Sequence, residues 1–393
     1  MSLIMRDSKP LRVSVVTETW PPEVNGVSLS LHRLVEEMRH RSHPIQLVRL
    51  RQSHELDIDR QALRSDELLL RGLPIPRYPG LQMGLPALRV LGKTWRANCP
   101  DLVHIATEGP LGWSASRIAR RLGLPVTSDF RTHFEHYSEH YGLGLLKHPI
   151  KRYLRRFHNR TRVTFVPTQS LKDELAREGF ERLEVLGRGI DTERFDPARR
   201  RRPLRESWGV SDHEVVILCV GRLAPEKNLA TLIDAYLRLR AESRAVRLVL
   251  VGKGPLYESL RATHPDIILT GQRTGLELAE HYASADVFAF ASLTETFGNV
   301  ILEAMASGLP VIAFGRGAAI ELIVARHSGM IADQRTPGTF ARGLGELVGD
   351  ADLRARLGAM ARQTALAHGW PAIAERFEQM LRQSIVGPPD TPA

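Results

Sequence analysis

The stretch Ser292-Leu293-Thr294-Glu295-Thr296-Phe297-Gly298-Asn299-Val300-Ile301-Leu302-Glu303-Ala304-Met305-Ala306-Ser307-Gly308-Leu309-Pro310 decides the fold. It follows an apolar run, Asp286 to Ala291, that reads as a buried strand, and it precedes a second, Val311 to Phe314. Between them, residues from about Gly298 to Ser307 read as a short helix stopped by Gly308 and Pro310. A loop at the carboxyl end of a strand that feeds a helix N-terminus is where parallel α/β sheets bind ligands. The N–H groups of Gly298, Asn299 and Val300 are expected to face an anion, with the helix dipole behind them. Glu295 stands in the loop and Glu303 farther along the helix. Two carboxylates turned on one phosphate would repel it, so each is expected to bind hydroxyls. A ligand with a central diphosphate and a sugar at each end satisfies all these groups. That ligand is a nucleotide sugar.

Bulk properties bound the rest. A chain of 393 residues, 43% hydrophobic, is long enough for two domains that each bury a core. Cys99 and Cys219 are its only cysteines, which suits a reducing compartment and excludes a disulfide framework. Residues Met1 to Arg12 are too polar for a signal peptide, and no apolar run approaches membrane-spanning length, so a cytoplasmic protein is expected. The formal net charge of +10 favours phosphorylated substrates or an anionic membrane surface. No nucleic-acid-binding module accompanies the charge, so nucleic acid is not an expected partner. The basic run from Lys147 to Arg156 reads as an amphipathic helix with Leu146, Ile150, Tyr153, Leu154 and Phe157 on its apolar side. It is either a solvated helix face or a peripheral membrane contact.

Along the chain, strands and helices alternate. Arg12 to Thr17 is a strand, Glu18 to Gly26 a turn-rich loop, and Ser28 to Arg41 a helix with Ser28 as its N-cap. Strands follow at Ile45–Arg49, Leu102–Ala106, Pro125–Ser128 and Val163–Val166. The loop Asp129 to His140 holds Arg131 and His133, and one such group after a strand suits contact with hydroxyls or phosphate. Metal readings of Asp57-Ile-Asp59 and of His133, His136 and His140 rest on short matches without a full ligand set, so no metal is expected. The Arg- and Pro-rich segment Thr192 to Ser207 reads as a linker. The alternation then restarts with a strand at Val215–Val220 and the loop Gly221-Arg222-Leu223-Ala224-Pro225-Glu226-Lys227. Arg222 and Lys227 flank that loop, where arginine clamps phosphate through paired donors and lysine as a point charge. A strand ends in Gly252-Lys253-Gly254-Pro255, another in Gly271-Gln272, and helices from Thr339 to His368 and from Trp370 to Ser384 close the chain.

These motifs together resemble the retaining glycosyltransferases of family GT4. The resemblance rests on Glu295…Glu303, Gly221-Arg222…Lys227, Gly252-Lys-Gly-Pro255, Gly189-Ile190-Asp191…Phe195 and Pro-Pro-x-x-Asn-Gly26. It runs nearly end to end and looks most like the branch of GDP-mannose-dependent α-mannosyltransferases and sulfoquinovosyltransferases. It implies an α/β GT-B fold of two doubly wound, Rossmann-like domains facing across a cleft. Residues 1–197 would bind acceptor and 198–370 the nucleotide sugar, while 371–393 would pack back on the first domain and end in a frayed tail. It also implies roles. Glu295 contacts the donor sugar and Glu303 the ribose. Arg222, Lys227 and the amides of Phe297, Gly298 and Asn299 hold the diphosphate, joined by Gly26 and, around the base, by Gly271 and Gln272. Many relatives carry a catalytic histidine where this chain has Arg131; either His133 substitutes for it or Arg131 meets phosphate or an acidic acceptor. The implied activity is metal-independent, front-face transfer of a hexose, such as mannose, to a lipid or glycan, with no cofactor and with peripheral contact at the inner membrane face. Two alternatives are a nucleotide-sugar-binding protein without turnover and a dinucleotide-dependent oxidoreductase. Intact Glu295, Arg222 and Lys227 weigh against the first. Gly252-x-Gly254 and Gly315-x-Gly317 lack the spacing and the acidic residue that the second needs.

Overall fold

The computed structural model describes residues 9–23, 26–52, 55, 66–74, 82–131, 147–211, 213–242, 244–293, 295, 297–336 and 338–386. The chain divides into two compact units, one running to Gly187 and resuming at Trp370, the other spanning Arg188–Gly369.

The first unit is built on a seven-stranded parallel sheet. Its order is Glu67–Leu70, Ile45–Leu50, Val13–Val16, Leu102–Ile105, Val126–Asp129, Val163–Val166 and Leu183–Val185. Val13–Val16, Leu102–Ile105 and Val163–Val166 are buried throughout, as continuous apolar strands covered on both faces must be. The order reverses between Val13–Val16 and Leu102–Ile105. Glu18 leaves the first of these strands and reaches the N-terminus of the Pro110–Arg121 helix that follows the second. Its carboxylate accepts the N–H of Leu111 at 2.8 Å and that of Gly84 at 2.9 Å, so the helix end already carries a negative charge. A Cβ at Gly109 would stand 2.3 Å from that carboxylate, so any other residue there would displace the Glu18 side chain from its present place. Burial pushes the Glu18 pKa up against the opposing pull of the Gly84, Leu111 and Gly112 amides.

The helix expected from Ser28 begins at Gly26, which places Ser28 buried in the first turn and not at the cap. In the Lys147–His158 helix, Leu154 and Phe157 are buried; Tyr153 keeps its ring exposed while its hydroxyl donates to the Glu108 carbonyl. The closing helix, Trp370–Val386, packs Ala374, Phe377, Met380 and Leu381 into the same core as Val13, Leu47 and Phe165. Glu378 binds Arg41 at 2.9 Å, and Arg162 donates to the Ser384 and Ile385 carbonyls at the helix end.

The second unit has a six-stranded parallel sheet in the order Ile268–Gly271, Val246–Val251, Val215–Val220, Val287–Phe290, Val311–Phe314, Met330–Ala332. Its reversal point lies between Val215–Val220 and Val287–Phe290. The helical region from Thr339 is two helices, Thr339–Gly349 and Ala351–Leu366, separated by Asp350, whose side chain caps the second. The unit begins at Arg188, ten residues before the boundary expected at 197/198, and the supposed linker is docked onto it. Arg362 donates to the Thr192 and Phe195 carbonyls and pairs with Asp196 at 2.6 Å. Arg205, buried, binds Asp286 at 2.9 Å and the Ser284 and Glu214 carbonyls. A polar, arginine-rich composition here marks an ion-paired surface segment, not a free tether.

Candidate active site

In a doubly wound sheet, the loops at the carboxyl ends of the two strands flanking the reversal point diverge and leave a crevice. In the second unit those loops are Gly221–Asn228 and Ala291–Gly298, the two that carry the predicted site residues. Their side chains meet: Lys227 Nζ forms an ion pair with Glu295 Oε1, and both are largely buried. The Lys227 ammonium also lies 5.5 Å above the Phe290 ring. Leu293 N–H donates to the Glu226 carbonyl at 3.1 Å, tying the two loops together by backbone. Arg222, separated from the strand Val215–Val220 by Gly221, is exposed.

Gly298 sits at φ +88°, a left-handed conformation that glycine adopts without penalty, and turns the chain into the Asn299–Ala306 helix. The Phe297 carbonyl is taken by the Ala318 N–H. A Cβ at Gly317 would stand 2.4 Å from that carbonyl, so the third loop of this edge also needs glycine. Asn299 and Val300, in the first turn, have N–H groups with no acceptor within the helix. The site therefore offers a helix N-terminus beside a lysine, a suitable cradle for a diphosphate.

Glu303 is held differently. Its Oε2 accepts the Tyr282 hydroxyl at 2.8 Å. Tyr282 is fully buried in the Gly275–Ser284 helix, with its ring edge-on to Phe195 at 5.7 Å. Burial pushes the Glu303 carboxyl up to about 6, although the Tyr282 hydrogen bond and the charge of Arg194 pull the other way.

Gly271, at φ +74°, ends the strand Ile268–Gly271 and accepts the Gly252 N–H at 2.8 Å; Gln272 follows, exposed. The glycine pair Gly252 and Gly254 has a packing role. A Cβ at Gly252 would stand 1.9 Å from the Gly221 carbonyl oxygen, and one at Gly254 would stand 2.4 Å from that of Leu223. The pair lets two neighbouring loops touch backbone to backbone, which accounts for its spacing without a dinucleotide.

In the first unit, Gly26 opens its helix, exposed. Arg131 is a correction to the expectation of a substrate contact. It is only 5% exposed, pairs with Asp129 and donates to Ser30 Oγ at 2.9 Å. Asp129 is also 3.4 Å from His104 Nε2. The guanidinium is turned inward and ties the sheet edge to the Gly26–His40 helix. His133, with His136, His140, Asp57 and Asp59, lies outside the described residues. Among the described residues no three His, Cys, Asp or Glu side chains gather as metal ligands.

Sequence reasoning missed Tyr282 and Arg194, and it gave Phe195 and Gly317 no place in the site. Tyr282 reads as one more apolar helix position, and only its partner across 21 residues reveals it.

Lysine, helix N-terminus and two carboxylates thus gather at the carboxyl edge of one parallel sheet. The chain belongs to glycosyltransferase family 4: residues 24–194 match "Glycosyltransferase Family 4" and residues 214–350 "Glycosyl transferases group 1". A GDP-mannose-dependent alpha-mannosyltransferase of Mycobacterium tuberculosis is 33% identical over 375 residues, 93% of this chain and 95% of that one. Sulfoquinovosyl transferase SQD2 of Arabidopsis thaliana is 28% identical over 94% of this chain and 73% of its own. Among solved structures, Anabaena Alr3699/HepE in complex with UDP and glucose superposes with a TM-score of 0.72 at 19% identity, covering 95% of this chain and 99% of that one. Sucrose-phosphate synthase of Thermosynechococcus elongatus does so at 0.74 and 18%, covering 94% and 98%. The fold is GT-B, and the protein is a glycosyltransferase.

Proposed function

We propose that the chain transfers a hexose from a nucleotide-diphosphate sugar to a hydroxyl of a lipid or glycan, with retention of configuration and without a metal. GDP-mannose is the donor we favour, because the mannosyltransferase relatives align over nearly the whole chain. The observation that carries the reading is the meeting of Lys227, Glu295 and the Asn299–Ala306 helix N-terminus at the reversal point of the second sheet.

The steps follow from charge. The bond between the sugar C1 and the phosphate oxygen breaks, and its electron pair stays on that oxygen. Lys227, Arg222 and the amides of Phe297, Gly298 and Asn299 stabilise the growing charge where water cannot reorganise. The acceptor oxygen bonds to C1 on the same face, and its proton passes to the departing phosphate oxygen. Glu295 binds donor-sugar hydroxyls and, through its ion pair, aims Lys227. Glu303 binds the ribose, with Gly271 and Gln272 beside the base. The first unit takes the acceptor. The exposed Arg152 and Arg156 of the Lys147–His158 helix give it a peripheral hold on anionic lipid. Among the described residues no helix is long and apolar enough to cross a membrane.

The test is a calorimetric panel of GDP-, UDP- and ADP-hexoses, followed by assay of released nucleoside diphosphate and of the product's anomeric configuration. Failure of every nucleotide to bind, or an inverted product, would overturn the reading.

A further inference from the structure

Glu303 and its surroundings carry more than a ribose contact. Tyr282 is wholly buried, and the Glu303 carboxylate is the one acceptor for its hydroxyl among the described residues. Phe195 and Phe288 flank the tyrosine ring at 5.7 and 5.6 Å, so the hydroxyl has a fixed direction. Phe195 is in turn clamped through its carbonyl by Arg362 at 2.7 Å. Phe195, the last residue of the motif Gly189-Ile190-Asp191…Phe195 to which sequence reading attached no role, thus backs the tyrosine that holds the carboxylate. Only one carboxylate oxygen is used: Oε1 has no hydrogen-bond partner among the described residues and is not sealed from solvent.

We infer that Tyr282 is a positioning residue for donor binding: it fixes Glu303 by Oε2 so that Oε1 is aimed at the vicinal ribose hydroxyls. The inference rests on the nucleotide-sugar reading of the site. The groups that face Glu303 are few. Tyr282 comes from the Gly275–Ser284 helix and stays a donor because burial holds its pKa well above the ordinary value. Arg194, itself 3.5 Å from Asp191, contributes positive charge from the segment before Phe195. Cys219, near the tyrosine, is kept neutral by burial, which pushes its thiol up to about 12. Glu303 is the only charged residue on its own helix. Its carboxyl titrates at about 6, above the usual range, because burial outweighs the hydrogen bond and Arg194. A protonated carboxyl accepts poorly from two hydroxyls, so the ribose contribution weakens as pH falls through that value. Removing the Tyr282 hydroxyl removes a pull towards the ionised form, which moves the midpoint upward.

The experiment compares GDP with 2′,3′-dideoxy-GDP (UDP or ADP and its dideoxy form if the protein prefers that base) by titration calorimetry from pH 5 to pH 8. The two probes share their phosphate titration, so their affinity ratio isolates the ribose hydroxyls. In the unaltered protein the ratio is expected to fall about tenfold per pH unit below the midpoint, until Glu303 no longer contributes. Tyr282→Phe is expected to lower the ratio about fivefold to tenfold at pH 7.5 and to shift the midpoint to higher pH. It should raise KM with kcat little changed and leave dideoxy-GDP binding unaltered. Glu303→Gln is expected to give a low ratio that is flat with pH. If Tyr282→Phe does not fold, Phe195→Leu, which loosens the ring from one side, should move the ratio and midpoint in the same direction. A normal ratio and an unmoved midpoint in whichever of these variants folds overturns the inference. Absence of GDP, UDP and ADP binding to the unaltered protein overturns the site reading itself.

Discussion

Glu303→Gln should make the protein more stable at neutral pH while weakening nucleotide binding. The carboxyl is partly buried and titrates at about 6 in place of its ordinary 4.5, chiefly through burial. A folded pKa above the unfolded one means that the folded state holds the proton more tightly. Below pH 4.5 the group is protonated in both states and carries no penalty. As pH rises through 6, folding must accommodate an ionised carboxylate in a poorly solvated place. A shift of about 1.5 units converts to a penalty of up to about 2 kcal/mol at pH 7.5. Glutamine cannot ionise, keeps an oxygen for Tyr282 and so escapes it. In a unit of roughly 180 residues this corresponds to a rise in melting temperature of about 4–8 °C. Scanning calorimetry at pH 4.5, 6 and 7.5, on the transition that nucleoside diphosphate shifts upward, would show the difference opening as pH rises. A variant less stable at pH 7.5, or a difference independent of pH, would refute the assignment of burial as the cause. The gain would come at a functional cost, the usual trade-off where a site holds a charge for its ligand.

Glu378 should behave with the opposite sign. Burial alone would raise its carboxyl, but hydrogen bonds from Arg382, Arg41 and His43 hold it down at about 2. Its stabilisation of the closing helix is therefore present above pH 4.5 and lost as pH falls towards 2; Glu378→Gln should cost up to about 3 kcal/mol at pH 7 and nothing at pH 2, read by acid titration of the first unit's unfolding. Lys227→Ala should lower kcat about a hundredfold to a thousandfold, with the protein's melting temperature little changed, measured as nucleoside diphosphate released; an unaffected kcat would remove Lys227 from the leaving-group cradle. Gly254→Ala should destabilise the second unit by at least about 2 kcal/mol, because its Cβ would lie 2.4–2.8 Å from three backbone atoms of Leu223, which cannot swing aside as a side chain can.

The elements around the site were legible because their signals are local. Val311–Phe314 appears where the apolar run predicts it, and the helix after Gly298 starts and stops at the glycines that bound it. What escaped was set by partners distant in sequence. Arg131 follows a strand as a substrate-binding cation would, yet Asp129 and Ser30 turn it inward. The segment Thr192–Ser207 has a linker's composition, but Arg362 and Asp286 are placed to hold it. The raised pKa of Glu303 comes from burial by the surrounding packing, against the downward pull of Tyr282, 21 residues earlier, and no local signal in the sequence shows either. Gly252 and Gly254 show the same limit from the other side: their spacing suggests a ligand loop, and the neighbour they accommodate is backbone.

Glu18 sets the two halves of the chain apart. Each sheet reverses its order beside a helix N-terminus, a place where an anion is welcome. In the first unit the protein has filled that place with a tenant of its own, the Glu18 carboxylate. In the second, the corresponding helix end has Lys227 beside it and no carboxylate bonded to its first amides among the described residues. A phosphate-bearing ligand therefore finds one address where the repeated architecture offers two, and nucleoside diphosphate should saturate the chain at one molecule per protein.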